Sequence, residues 1–421
     1  MVIQIVGGGW SGCAAASAAR KLGVEVTLHE RTDLLLGTGL VGGIMRNNGR
    51  FTATEEAIAL GGGDLFRLVD DQSRHRNVDF PGHKHANLYD IASTPPAVTN
   101  YLKSIGVKLV FHSRIDQVTM DGQKIRSIRN TRGEEYAGDV FIDTTGTAGP
   151  MNNCIKYGNG CAMCILRCPS FGGRISLTGL AGVLEIVGRK ANGSVGAMSG
   201  SCKLYKESLS QDLIAELNTK GVALVPIPRQ LVDDHLGIKA CQQYALAEFR
   251  DNLVLLDTGH AKLMTPYYEL ARLQQIPGLE KARYEDPYAG GEGNSMRYFA
   301  MAPRDNKLAV DGVSNLYCAG EKAGLLVGHT EAIITGTLAG YNAARQAKGL
   351  ATLELPRELV IGDAIAFVRE QMQTEQGLGL KYTFSGSVLF DRMKEQDRYT
   401  TDIPKIRLRV EQAGLLDVFA Q

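Results

Sequence analysis

The chain has 421 residues, 44% apolar and 22% charged, with 46 Lys and Arg against 45 Asp and Glu for a formal charge of +1. That length builds one large or two ordinary domains, and the balance excludes whole-chain disorder, a coiled coil and a global electrostatic pull on nucleic acid. No run of eighteen uncharged apolar residues occurs, and the start reads MVIQIVGGG, without a basic stretch and apolar core. A spanning helix and a secretory signal are therefore not expected, and the expected location is the cytoplasm. The 49 glycines fall in short clusters between apolar runs, a pattern for tight turns and close backbone approaches.

In chain order, the first thirty residues read strand, turn, helix, strand. Val2–Val6 is a short apolar run, residues 13–22 are rich in Ala and Ser, Gly23 stands where a helix stops, and residues 24–28 lead to Glu30. This βαβ order predicts an α/β fold with a parallel sheet. Residues 107–118, 124–130 and 134–143 read as three strands joined by turns at Asp121-Gly122 and Arg132-Gly133. Residues 150–300 are less regular, with helix-like stretches at 206–219 and 238–250. A buried strand is expected at 315–319 and a small-residue helix at 330–347, with helical patterning again at 362–373 and 406–416. The simplest organisation is a discontinuous nucleotide-binding domain, residues 1–150 and 301–350. An α+β domain, 151–300, is inserted in it, and a helical segment, 351–421, follows.

Gly7-Gly8-Gly9-Trp10-Ser11-Gly12 satisfies G-x-G-x-x-G after a strand and before a helix, with Glu30 ending the next strand. In that arrangement Gly7 makes the turn, Gly9 lets backbone approach a diphosphate, and Gly12 lets helix and strand pack. The helix start at Trp10 and Ser11 offers N–H groups to phosphate, and Glu30, beside Arg31, grips a ribose diol. Gly37 to Gly42 repeats the letters with no room for its own βαβ unit, so a mobile glycine loop is expected there. No separate nicotinamide-binding domain is visible.

Two later segments, Asp143-Thr144-Thr145-Gly146 and Cys318-Ala319-Gly320-Glu321, complete a three-part layout that resembles FAD-dependent proteins of the glutathione-reductase type. The resemblance implies that Thr145 and Gly146 pass the adenine side and that Glu321, after Gly320, meets the ribityl chain. It also implies that the helix from His329 or Thr330 points its positive end at the flavin. IPGLEKARYEDPYAG (276–290), YCAGEKAGLLVGHTEAIITGTLAGYNAA (317–344) and LELPRELVIGDAIAFV (353–368) narrow the likeness. They are similar to the glucose-inhibited division protein A family, which includes the folate- and FAD-dependent RNA uracil methyltransferases. Those methyltransferases carry a nucleophilic cysteine where this chain has Met45. A thioether cannot serve as that nucleophile, so RNA methylation by the same route is not expected.

Cys154-x6-Cys161-x2-Cys164-x3-Cys168-Pro169 is absent from that family pattern. The last three cysteines have the spacing of a ferredoxin-type ligand run, with Cys154, or else Cys202 or Cys241, as fourth thiolate. A zinc knuckle, a redox dithiol of Cys161 and Cys164, and unligated cysteines are the alternatives. Cys13 and Cys318 read as buried residues. His329 and Glu331 are the candidate catalytic residues, with Lys322 as a possible charge setter nearby; Arg297 and Arg304 could meet an anion, and His83 and His85 read as surface. The leading reading is an FAD-dependent oxidoreductase, with an iron–sulfur cluster as a candidate second centre. A small molecule or an electron-carrier protein would be its partner, and NAD(P)H or reduced folate a transient co-substrate. Modification of a tRNA or rRNA uridine and a non-catalytic flavin-binding sensor are the rivals.

Overall fold

The structure is a computed structural model and describes residues 1–156, 167–190, 192–198, 201–234, 236–238, 242–265, 268–285 and 296–420. Its central sheet has five strands: β1 (Val2–Val6), β2 (Glu25–His29), β3 (Lys108–Val110), β4 (Val140–Asp143) and β5 (Leu316–Cys318). Their order is β5-β4-β1-β2-β3 and every pairing is parallel. Parallel sheets are covered on both faces, which is why these strands read as nearly unbroken apolar runs; Ile3, Ile5, Phe141 and Ile142 are fully buried. Strands from both ends of the chain share this one sheet.

Helix α1 (Trp10–Lys21) and helix α2 (His329–Ala347) pack directly on each other. A Cβ at Gly336 would collide with the Ser11 carbonyl, and one at Gly340 with the Ala15 carbonyl. The small residues that looked merely helix-compatible in the sequence therefore let two backbones touch, and dispersion between them is gained at close range.

The remaining four described sheets are antiparallel, the smallest pairing Ala197–Met198 with Met296–Arg297. Residues Ile115–Asp121, Lys124–Asn130 and Glu135–Ala137 form a meander. Ile44–Met45, His83–Tyr89 and Ser73–Phe80 form a second small sheet. Four strands, Cys202–Leu204, Ala261–Leu263, Asn252–Asp257 and Val222–Pro226, form a third over a core of its own that includes Leu204, Leu217, Leu255 and Leu273. Ile44, Leu88, Val254 and Met264 join the last two sheets through one apolar cluster.

Several expected boundaries differ. The stretch 107–118 divides after Val110, where His112 takes φ +54° and the chain leaves the central sheet for the meander. The stretch 134–143 likewise divides, because its halves belong to different sheets. The helix expected at 206–219 starts at Gln211, where the Ser210 hydroxyl accepts from Leu213 N. Of 238–250, only Ala247–Asp251 is α-helix among the described residues. The C-terminal helices are Val360–Gln371, the one-turn Glu375–Leu378, Ser387–Glu395 and Ile403–Gln412. No described helix is long and apolar enough to cross a membrane.

Candidate functional site

The carboxyl ends of β1, β2, β4 and β5 open on one cleft, lined in turn by Gly7, Glu30, Thr144 and Gly320. Ligands in open parallel sheets bind at this edge. The three glycines of the first turn have different surroundings. Gly7 takes φ +107°, and a Cβ there would collide with the Thr144 carbonyl; a Cβ at Gly12 would collide with the Gly7 carbonyl. At Gly9, which lines the cleft, a Cβ would meet nothing within 4 Å. Two of these glycines let protein pack on protein, and the third faces space.

Glu30 is buried and lines the same end. Its carboxylate accepts from Gly8 N and from Thr32 N, each at 2.8 Å, and so braces the glycine turn. Three arginines stand nearby. Arg31 donates to the Gly172 carbonyl at 2.8 Å and Arg114 to the Gly173 carbonyl at 2.9 Å. Arg174 also lines the cleft, and burial draws its guanidinium below the usual arginine range. Thr145 donates to Asp143 at 2.7 Å, and Gly146 turns the chain at φ +70°.

At the opposite end Gly320 takes φ +66° and donates to Thr335 Oγ1 at 2.9 Å. Glu321 lies 2.9 Å from Arg297 Nε. The N-terminus of α2 borders the cleft through Gly328 and His329. The His329 ring occupies space that exists because residue 42 is glycine: a Cβ there would overlap the imidazole. His329 Nδ1 lies 3.3 Å from the Tyr89 hydroxyl, which donates to the Gly39 carbonyl at 2.8 Å. Burial, reinforced by Arg50, Arg297 and Lys262, holds the imidazole well below its ordinary pKa, so it is neutral. Trp10 and Tyr89 complete an aromatic group around it, with Trp10 edge-on to Tyr89 at 5.9 Å.

Other candidates lie elsewhere. Glu331 is buried away from the cleft, bound by Arg50 Nε at 3.1 Å, Thr383 Oγ1 at 2.8 Å and Phe384 N at 2.9 Å. It positions Arg50, which does line the cleft. Thr330 is fully buried with its hydroxyl 3.7 Å from Met45 Sδ. Lys322 is turned into the core against Glu185 at 2.6 Å and Asp143 at 3.9 Å. Arg304 is buried on the carbonyls of Ala323 and Ile365, so it is no anion anchor. His83 is not at the surface: it is buried between Phe80 and Tyr244, ring centroids 4.6 Å from each, and burial takes its pKa down to about 3. Gly37–Val41 is a 3₁₀ turn lining the cleft.

Cys161, Cys164 and Cys241 lie outside the described residues. Cys154 falls in the short helix Asn153–Lys156, and Cys168 opens Cys168–Phe171. Among the described residues no group of His, Cys, Asp or Glu is arranged to hold a metal ion, and no cysteine lines the cleft. Cys13 and Cys318 are buried, and desolvation pushes both thiols up, Cys318 to about 12. Met45 is buried in its two-residue strand.

Arg50, Arg174, Gln243 and Lys262 are among the cleft residues that no motif marked.

The model of the family described as glucose inhibited division protein A matches residues 2–245 and 258–351. The chain belongs to that family. Every residue lining the cleft falls inside the two matched segments, so the family likeness includes the site. A curated relative within reach is the methylenetetrahydrofolate–tRNA-(uracil-5-)-methyltransferase TrmFO of Symbiobacterium thermophilum. It is 26% identical over 403 residues, which cover 87% of this chain and 86% of the relative. Two solved structures of Aquifex aeolicus GidA, crystal forms II and I, are similar with TM-scores of 0.68 and 0.65 and identities of 16% and 15%. Both alignments take in all of this chain, and 73% and 76% of the GidA chains. At that identity the likeness to the solved chains is one of fold.

Proposed function

We propose that this member of the glucose-inhibited division protein A family is an enzyme that holds FAD along the cleft and exchanges electrons or hydride with a small-molecule substrate. The observation that carries the reading is the turn at Gly9. An otherwise tightly packed glycine turn leaves open space at the one position where a diphosphate would approach backbone. The donor set fits the rest of such a ligand. Glu30 suits a ribose diol, the N–H groups at Trp10 and Ser11 and the nearby Arg174 suit the diphosphate, and Thr145 with Gly146 borders the adenosine half. Gly320 and Glu321 suit the ribityl chain, and the positive end of α2 suits the electron-rich edge of the ring.

When bound, an isoalloxazine supplies two-electron and hydride chemistry. The chain's own residues bind and orient it, exclude water, and present a neutral imidazole, His329, at the cleft. The Glu321–Arg297 and Glu331–Arg50 pairs fix two guanidinium groups at the same end, each against a carboxylate. The other four described sheets are antiparallel, so electrons would come from transiently bound NAD(P)H or from a carrier protein. The run Cys154, Cys161, Cys164 and Cys168 is proposed as an iron–sulfur ligand set on its spacing alone; iron and acid-labile sulfide in anaerobically purified protein would support it, and their absence would reject it.

The test of the main reading is direct. Gently purified protein should be yellow, or become so on incubation with FAD, with one flavin retained per chain through gel filtration. Protein that is colourless and takes up no FAD would overturn the reading. The activity in the relative's name, methylation of tRNA uracil, is the second reading. It requires incorporation of a labelled one-carbon unit from methylenetetrahydrofolate into tRNA, and the buried thioether of Met45 stands against it.

A further inference from the structure

Ile44, Met264 and Tyr244, which share one apolar cluster, line a compartment of the cleft together with Lys262, Ser201 and Gln243. Its charges are unevenly matched. Arg50 and Arg297 each have a carboxylate partner, Glu331 and Glu321. Lys262, 5% exposed, has none within ion-pair distance among the described residues. Its amine donates to the Val41 carbonyl and, at 2.6 Å, to Ser201 Oγ. Protonated, that amine carries a third N–H with no acceptor among the described residues. Gln243 is 8% exposed, and neither its amide oxygen nor its amide nitrogen has a hydrogen-bond partner among the described residues. Buried polar groups are nearly always paired, and one left unpaired costs stability unless something else completes it. Lys262 and Gln243 both belong to the lining of one cleft.

We infer that this compartment binds a small organic carboxylate, its anionic end on Lys262 and a neighbouring hydroxyl, carbonyl or amide group on Gln243, against apolar walls at Ile44 and Met264. A carboxylate supplies the acceptor that the amine lacks, and Gln243 can donate and accept at once. Calling this molecule the substrate rests on the oxidoreductase reading above; the binding site does not. Burial brings the Lys262 pKa down to about 7, and an anion beside it would restore the charged form. The other groups facing it are Cys202 and Lys203 on the neighbouring strand, Arg297, and the neutral His329. Affinity for a carboxylate is therefore greatest below about pH 7, where the amine is charged. It falls as pH rises through that value.

The experiment titrates benzoate, glycolate and acetate, with benzamide as the uncharged match of benzoate, into protein as isolated and after FAD loading, read by calorimetry and by thermal shift. Benzoate should bind and benzamide should not. Lys262→Met should weaken benzoate by about tenfold or more, keep or raise the melting temperature because an uncompensated buried amine is gone, and abolish the pH dependence. Gln243→Leu should cost glycolate, which carries a hydroxyl, more than acetate. Equal binding of benzoate and benzamide, unchanged benzoate affinity in folded Lys262→Met, or no binding of any carboxylate to flavin-loaded protein would overturn the proposal. Lys262-dependent benzoate binding in protein that takes up no FAD would uphold the anion site and sink the flavin reading, so the two failures are distinct.

Discussion

At Gly9 the backbone lies at φ −69°, a conformation open to any residue, with nothing within reach of a Cβ. Gly9→Ala should therefore leave the melting temperature of the flavin-free protein nearly unchanged, within about 0.5 kcal/mol. It should nonetheless lower FAD affinity by more than about tenfold, because the methyl group would occupy the space assigned to the diphosphate in the proposed function. Gly12→Ala should behave the other way, losing about 1–3 kcal/mol of stability by overpacking against the Gly7 carbonyl. Denaturant melts with and without FAD would check both, and a Gly9→Ala variant that retains flavin normally would refute the assignment. The sequence displayed these glycines and Glu30 openly, because the chemistry depends on a short local pattern. Lys262, Gln243 and Arg174 were not legible as site residues, since three separate loops and strands bring them to the cleft and no spacing records that. Glu331 misled for the complementary reason: it stands two residues from His329, yet a helix sends neighbouring side chains in different directions, and this one meets Arg50.

The contact between α1 and α2 sets the position of everything at the cleft's inner end, because His329 is the first residue of α2. Gly340→Val would drive a branched side chain into the Ala15 carbonyl. Expected is a loss of about 1–3 kcal/mol accompanied by weaker FAD retention, measured by urea melts and by flavin released on gel filtration. Gly349→Ala, at the free end past α2 with nothing near its Cβ, is the control, although its φ of +70° brings a modest strain of its own. Elements with one structural job were read well: β1, α1, β2, β5 and α2 fall within a few residues of expectation. The segments 107–118 and 134–143 each serve two sheets, and the apolar pattern continues across the junction where the partner changes. Likewise the glycine stretch 37–42 looked like slack chain. Its 3₁₀ turn gains its definition from outside, from the Tyr89 hydroxyl on Gly39 and the His329 ring on Gly42.

Across the whole molecule, burial keeps several histidines neutral. His29 is held between Gln4 and Ser113 at 2.8 and 3.0 Å and His83 between two rings, and burial lowers each to about 3. His329 is also lowered. An unfolded histidine binds its proton near pH 6.5. Between that value and about pH 3 the unfolded chain therefore carries protons that the folded chain does not, and stability falls as pH falls. Each of His29 and His83 should contribute roughly 1 kcal/mol per pH unit in that window. Urea melts from pH 7 to pH 4 should show the decline, with a shallower slope in His29→Gln; an unchanged slope in that variant would argue against the buried neutral state.

The distance along the chain between β1 and β5, which lie two places apart in one sheet, matters during synthesis. A ribosome extends a chain by about 5–20 residues per second, so the segment at 316–318 emerges roughly 15–60 s after the first strand. Once β4 (Val140–Asp143) has itself emerged, its edge has no neighbour on the far side for roughly the last 9–35 s of that interval, and exposed strand edges recruit other chains. Nascent or prematurely terminated chains should accordingly depend on chaperones for solubility until that late segment leaves the exit tunnel.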